Sequence, residues 1–231
     1  GLERLDPETG RVTRIPAGPD DDGDPCSLSH HAVRLIHEDR RGTLWLHTFA
    51  GGLDVYDRTT ECFEHYSYDP DDPESLGANG ITRIYEDEAG GLWIGTDVNG
   101  VNLYDPGWST FPLYRVGAAG SEYLSNNSIW RFAASPEGLD DQGRAQALWV
   151  STFAGINYWD RRSNTFTFYE IDPRLPDVLA YAVFEDAERQ TLWLATTMGL
   201  ERAALPADGS MAPETLDFTR ILTRSSSSAG Y

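Results

Sequence analysis

One aromatic dipeptide returns four times along this 231-residue chain, as Leu44-Trp45, Leu92-Trp93, Leu148-Trp149 and Leu192-Trp193, with Trp spacings of 48, 56 and 44. A chain with such a period folds as repeated supersecondary units that bury their faces on one another. Each copy keeps one frame. A Thr follows three residues after the Trp (Thr48, Thr96, Thr152, Thr196), then a Gly opens a second segment: GLDVYD from Gly52, GVNLYD from Gly100, GINYWD from Gly155 and GLERAA from Gly199. A fifth copy of that segment, Gly1-Leu2-Glu3-Arg4-Leu5-Asp6, starts the chain and runs into the turn residues PETG and the strand-like RVTRI. Upstream of each Leu-Trp, residues 28–39, 76–87, 124–135 and 175–186 begin with Leu and span the same eleven steps. Three of the four end in Glu-Asp.

Between these anchors the runs are short, β-branched or aromatic, and bounded by Gly, Pro, Asp and Asn, with no sustained helical spacing of apolar residues. Each repeat reads as four antiparallel strands, A (VRLIHED), B (LWLHT), C (GLDVYD) and D (FEHYSY) in the first full copy. Tight turns such as EDEAGG and DRRSNT join A to B and C to D. Four short strands per repeat with a fixed Trp on the second predict an all-β fold, a β-propeller segment of four-stranded blades. The Trp series is expected to fill the wedge between neighbouring sheets. The expected layout is a half-blade of strands C and D at 1–16, blades at 28–68, 76–115, 124–170 and 175–222, and a linker toward a next blade at 223–231, all one propeller segment. With strands A and B of the half-blade missing, the segment reads as part of a larger ring whose cut faces are apolar. The third blade carries SPEGLDDQGRAQ between strands A and B, which reads as a solvated loop.

The formal charge is −19, from 18 basic against 37 acidic residues, so a phosphate backbone would be repelled and nucleic acid is excluded as a partner. All 18 basic residues are Arg. No apolar run reaches the ~18–20 residues that span a bilayer, so any membrane attachment is expected from segments outside this chain. Cys26 and Cys62 cannot make a disulfide framework and say almost nothing about compartment; two thiols are the main expectation and a bridge between them the lesser alternative. No G-x-S-x-G, P-loop, H-E-x-x-H or C-x-x-C occurs. The recurring Glu-Asp pairs sit where an Asp caps a hairpin turn, a structural role. His31 and His37 lie about 20 Å apart along a strand, too far to share a metal ion. The acidic stretches around Asp20–Asp24 and Asp69–Asp72 lack calcium-loop spacing. No cofactor and no catalytic residue is expected.

The stretch ITRIYEDEAGGLWIGTDVNGVNLYDP at residues 81–106, with its lead-in DPDDPESLGANG at 69–80, resembles the two-component regulator propeller repeat, SL-S-x-N-x-V-x-x-I-x-ED-x-x-G-x-LWIGT followed by GL-x-x-YD. The resemblance covers nearly the whole chain. Departures are Ala134-Ser135 in place of Glu-Asp, Ala203-Ala204 in place of the aromatic-Asp pair, and His31 and Val178 where Asn79 and Asn127 stand in the other copies. It implies the extracytoplasmic sensor region of hybrid histidine kinases and sensor diguanylate cyclases, located in the periplasm or outside the cell as part of an inner-membrane receptor. It also implies seven-bladed rings, an output domain beyond this chain and oligosaccharide fragments as ligands. The expected partners are a small polar or oligosaccharide ligand, the remaining blades of the same propeller, and a second receptor copy in a dimer.

Binding residues are sought where the repeat leaves the residue type free. Propellers bind at the face where the D–A and B–C loops converge on a rigid scaffold. The B–C loops vary as Phe49, Asp97 with Asn99, Phe153, and Thr197 with Met198, and early strand A varies as Arg34, Thr82, Trp130 and Tyr181. Aromatic plates with hydrogen-bonding groups suit a sugar ring. Arg34, Phe49, Asp97, Asn99, Trp130, Phe153, Tyr181 and Met198 are therefore the candidate ligand-binding residues, and Arg34 suits an acidic sugar. The function expected is ligand sensing without catalysis. The alternatives are a protein-interaction scaffold, marked by a broad apolar patch, and a propeller hydrolase or lyase, marked by His or carboxylate pairs converging on a cleft.

Overall fold

The fold was obtained as a computed structural model that describes residues 1–18, 26–88, 90–105, 111–117, 124–135, 146–172, 174–175, 178–207, 211 and 216–223. Every helix or strand among these residues is a strand. They divide into two compact units, residues 1–113 and 114–231. The first unit starts with a two-stranded sheet, β1 (Leu2–Leu5) and β2 (Val12–Ile15), followed by a four-stranded blade of β3 (Val33–Glu38), β4 (Leu44–Thr48), β5 (Gly52–Asp57) and β6 (Cys62–Tyr66). The second blade is β7 (Ile81–Glu86), β8 (Leu92–Thr96), β9 (Val101–Tyr104) and the two-residue β10 (Leu113–Tyr114). The second unit holds the third blade, β11 (Ile129–Ser135), β12 (Ala147–Thr152), β13 (Gly155–Asp160) and β14 (Thr165–Tyr169), and the fourth, β15 (Ala180–Asp186), β16 (Thr191–Thr196), β17 (Gly199–Ala204) and β18 (Thr219–Thr223). All four sheets run in sequence order, each strand beside the next, as a meander of strands A to D does.

Local chemistry explains the repeat's fixed letters. The Gly that opens strand C has a positive φ in all four blades, 81° at Gly52, 84° at Gly100, 139° at Gly155 and 132° at Gly199. A side chain at Gly52 would also meet the Tyr66 carbonyl at 2.2 Å, so only glycine fits. The Asp of the Glu-Asp pair caps the A–B turn, as expected: Asp39 Oδ1 accepts the Arg41 and Thr43 N–H, Asp87 Oδ1 that of Gly91, and Asp186 Oδ1 that of Arg189. Its second oxygen does something the spacing did not reveal. Asp39 Oδ2 accepts the indole N–H of Trp45 at 3.0 Å, and Asp87 Oδ2 that of Trp93 at 3.1 Å. The third blade lacks the Asp, and there Trp149 Nε1 donates instead to Glu185 Oε2, 2.6 Å away on strand A of the fourth blade.

Trp45, Trp93 and Trp149 are buried in the core. Trp45 packs with Leu53 of its own blade and Leu76, Ile81, Leu92, Ile94 and Phe111 of the second. Trp149 packs on Val178, Ala180, Val183, Leu192 and Leu194 of the fourth. Leu2 and Ile15 of the N-terminal pair cover Leu46, Phe63 and Leu28 of the first blade. Trp193 is only half-buried, because among the described residues of its unit no further sheet covers that face.

A third device pins the lead-in to each blade. The polar residue third in strand C accepts a backbone N–H from the segment before strand A: Asp54 from Ser29 at 3.0 Å, Asn102 from Gly77 at 2.9 Å, and Asn157 from Ser125 at 2.9 Å. All three side chains are fully buried, so the bonds replace water that cannot enter. The fourth blade departs from this. Its Glu201 takes Arg220 of strand D at 2.6 Å, and Arg220 also meets Asp172, which holds Arg174 through both oxygens. These charges line a cavity of about 360 Å³.

One expectation is corrected. Cys26 and Cys62 are joined in a disulfide closing a sequence separation of 36, so they are not free thiols. Sequence distance said nothing because the fold, not the spacing, brings the lead-in beside strand D. Leu175 does not continue the buried series of Leu28, Leu76 and Leu124; it is 40% exposed, and Ile171, Val178 and Leu179 supply the core there. The lead-in of the fourth blade, from Tyr169 to Ala180, is shorter than those from Tyr66 to Ile81 and from Tyr114 to Ile129, which shifts the apolar anchor. The expected A–B insertion at 136–145, the acidic run Asp20–Asp24 and residues 224–231 of the expected linker lie outside the described residues.

Candidate ligand-binding site

Strand A carries a register shift at its second residue in every blade, between Val33 and Leu35, Ile81 and Arg83, Ile129 and Arg131, and Ala180 and Ala182. The residues so displaced are Arg34, Thr82, Trp130 and Tyr181. They are the set whose chemistry varies from copy to copy. A β-bulge leaves one residue unpaired and re-aims its side chain, a device found next to binding sites. A second repeated feature fixes what lies beside it. The first B–C loop residue donates its N–H to the residue just before strand A: Phe49 to Ala32, Asp97 to Gly80, Phe153 to Ser128 and Thr197 to Leu179. Each blade therefore brings one bulge residue and one B–C loop residue to the same end of its sheet.

In the first blade this pairs Arg34 with Phe49. The guanidinium carbon lies 5.0 Å from the ring centroid, within cation–π range, and Phe49 is 53% exposed. His30 stacks on His31 at 4.1 Å and lies 5.8 Å from Phe49. In the second blade Asp97 is exposed and its carboxylate lies against Gly80, where any added Cβ would sit 2.4 Å from Oδ2. Asn99 is half-buried and its amide donates to the Gly77 carbonyl at 2.6 Å, so this group is engaged in holding the lead-in. In the third and fourth blades Trp130 lies 6.4 Å from Phe153 and 6.1 Å from Tyr181, the latter edge to face. All three rings stay accessible, at 36%, 46% and 48% exposed, so the cluster is a surface plate and not core. Met198 is partly exposed on the fourth B–C loop, its N–H bonded to Thr196 Oγ1.

Sequence reasoning missed His30 and His47 as neighbours of this end. His47 is buried, and its Nδ1 lies 3.0 Å from the Gly52 carbonyl. The signal was present: the equivalent positions are Gly95, Ser151 and Ala195, so a large polar ring is the exception. Burial, opposed by the bond to Gly52, pushes His47 below the usual histidine range. At Asp39 burial alone would raise the carboxyl, but the Trp45 indole and the Thr43 and Arg41 amides outweigh it and hold the group low.

Both shifts predict acid sensitivity. For His47 the folded value lies below the unfolded one, so its contribution is complete above pH ~6.5 and declines as pH falls through the folded value. For Asp39 the contribution is present above pH ~4 and is lost as pH falls further. Urea unfolding followed from pH 8 to pH 4 is expected to show stability falling from pH ~6.5 downward, with the first part of the loss smaller in His47→Ser. An unchanged profile in that variant would overturn the assignment.

Among the described residues no group of three or more His, Cys, Asp or Glu is placed to hold a metal ion, and no helix is long and apolar enough to cross a membrane.

Residues 75–98 match the family described as Two component regulator propeller. No curated protein sequence matches the chain significantly. Among solved structures, one described as the extracellular domain of a hybrid two component system from B. thetaiotaomicron superposes with a TM-score of 0.65 at 21% identity, over 91% of this chain and 26% of that one. PorZ, a surface component of the type-IX secretion system of Porphyromonas gingivalis, gives 0.52 at 18% identity, over 84% of this chain and 29% of that one. An inactive virginiamycin B lyase from Staphylococcus aureus gives 0.53 at 14%, over 96% and 63%. The chain thus spans about a quarter of the first of these proteins. At such identities the likeness establishes the fold, which is the β-propeller.

Proposed function

We propose that the chain is an extracytoplasmic, non-catalytic sensing segment of a bacterial signal-transduction receptor, and that it recognises an oligosaccharide or another small polar ligand. The observation that carries this reading is the bulge repeated in all four blades at the positions whose residue type varies, with Trp130, Phe153 and Tyr181 held there as accessible rings. A scaffold that re-aims one side chain per blade at the same place, and fills that place differently each time, is built to present a ligand surface. Exposed aromatic faces match the C–H face of a pyranose, and Tyr181 adds a hydroxyl for hydrogen bonding. The matched repeat supports the sensor reading. The disulfide supports the location, since such bonds persist in oxidising compartments and are rare in the cytosol.

The test is a thermal-shift screen of the full chain against a panel of neutral and acidic oligosaccharides. A ligand that binds only the native state stabilises it by about 2.7 kcal/mol at a hundredfold excess over Kd. The expected result is a saturable shift with at least one saccharide, lost in Trp130→Ala, whose ring is partly exposed and whose removal leaves the fold intact. A flat panel with a folded protein would overturn carbohydrate sensing and point to a protein partner.

A further inference from the structure

The first blade carries charge chemistry that the other three lack. Arg34 occupies the bulge where Thr82, Trp130 and Tyr181 stand elsewhere, and His47 replaces Gly95, Ser151 and Ala195. The blade frame needs neither residue, because three sheets form without them. The chain has a net charge of −19, and Arg4, Arg40, Arg58, Arg174, Arg189 and Arg220 all lie against carboxylates. Arg34 does not: among the described residues its guanidinium has no ion pair, and its contact is the face of Phe49 at 5.0 Å. A cation–π contact uses none of the guanidinium's hydrogen-bond donors, and the guanidinium fork can grip a carboxylate with two parallel hydrogen bonds.

The neighbouring imidazoles extend this donor edge. His30 Nδ1 accepts the Ala32 N–H at 3.0 Å, which puts the ring proton of the neutral form on Nε2 and makes that nitrogen a donor. His31 is exposed and stacks on His30 at 4.1 Å, while His30 lies 5.8 Å from Phe49. The backbone fixes the arrangement from both sides: Phe49 N–H bonds the Ala32 carbonyl, and Ser29, just before the two histidines, is tied to Asp54 through its N–H and to Thr48 through its hydroxyl at 2.6 Å.

We infer that Arg34, seated on Phe49 with His30 and His31 beside it, is an anion subsite that takes the carboxylate of an acidic sugar. The inference rests on the ligand-sensing reading above and gives that reading its substrate class. The carboxylate accepts the two N–H bonds of Arg34, and the exposed His31 lies beside it within reach of an adjoining ring hydroxyl. Nothing is transferred or cleaved. Neutral sugars fill the same place without the charge-assisted pair and bind it more weakly.

The experiment is isothermal titration of the full chain at pH 7 with tri-galacturonate and tri-mannuronate, and with the neutral galactotriose and mannotriose, repeated with Arg34→Gln. This side chain is exposed and makes no hydrogen bond among the described residues, so the variant is expected to melt as the parent does. At least one acidic trisaccharide is expected to bind ten times or more tightly than its neutral counterpart, and Arg34→Gln is expected to abolish that difference. Equal affinity for acidic and neutral forms, or an acidic affinity untouched by Arg34→Gln, would overturn the anion subsite and leave the sensing reading standing. Failure of all four saccharides to bind the folded chain would count against the sensing reading and, through it, the subsite.

Discussion

Replacing Trp149 with alanine is expected to destabilise the second unit by about 3–5 kcal/mol, the range for removing a fully buried large aromatic. The indole has no exposed surface and touches both blades of its unit, packing on Val178, Ala180, Val183, Leu192 and Leu194. It also holds the two sheets together through the 2.6 Å bond from Nε1 to Glu185. Trp149→Phe keeps most of the packing and loses that bond, so its cost is expected near the ~1.5–3 kcal/mol of a hydrogen bond to a charged group. Trp193 has the same letter in the same frame, yet it is half-buried, and Trp193→Ala is expected to cost clearly less. Denaturant unfolding of the three variants followed by circular dichroism checks the order. Equal losses for Trp149→Ala and Trp193→Ala would show that burial between blades is not what the repeated Trp provides.

Reduction of the Cys26–Cys62 bond is expected to cost the first unit about 3–4 kcal/mol, from the loop-closure entropy of a 36-residue separation. The bond ties the lead-in of the first blade to its outer strand. A thermal melt with and without dithiothreitol, and the double variant Cys26→Ser with Cys62→Ser, should show the same lowering of the transition. If the double variant melts with the oxidised parent, the bond does not hold this unit. The second unit contains no cysteine and serves as the internal control.

Much of the candidate site was legible as variation against a fixed frame. Arg34, Trp130 and Tyr181 stood out because the repeat left their position free, and Phe49 and Phe153 because each followed the invariant Thr. The structure places the pairs Arg34–Phe49 and Trp130–Phe153 together. It also shows Asn99 spending its amide on the Gly77 carbonyl, a use that sequence variation cannot distinguish from ligand contact. His47 was legible as an exception to its repeat, but only the structure shows that it and His30 lie at this end of the sheet.

Sequence alone determined the four-strand blade, the glycine at the start of strand C, the Asp at the A–B turn and the Trp in the core. These are local matters: the alternation of a strand, a positive φ and a turn cap are settled within a few residues, and repetition multiplies the signal. Only the tertiary structure decided the bulge, since an inserted residue leaves the letters of a strand unchanged while moving one side chain off both faces. It also decided the partners: Glu185 for Trp149, Arg220 for Glu201, Cys26 for Cys62. Each of these joins residues 19 to 36 positions apart, or sits between two sheets. Such pairings are chosen by which groups packing leaves buried and in need of a partner, and that is known only once the sheets have met.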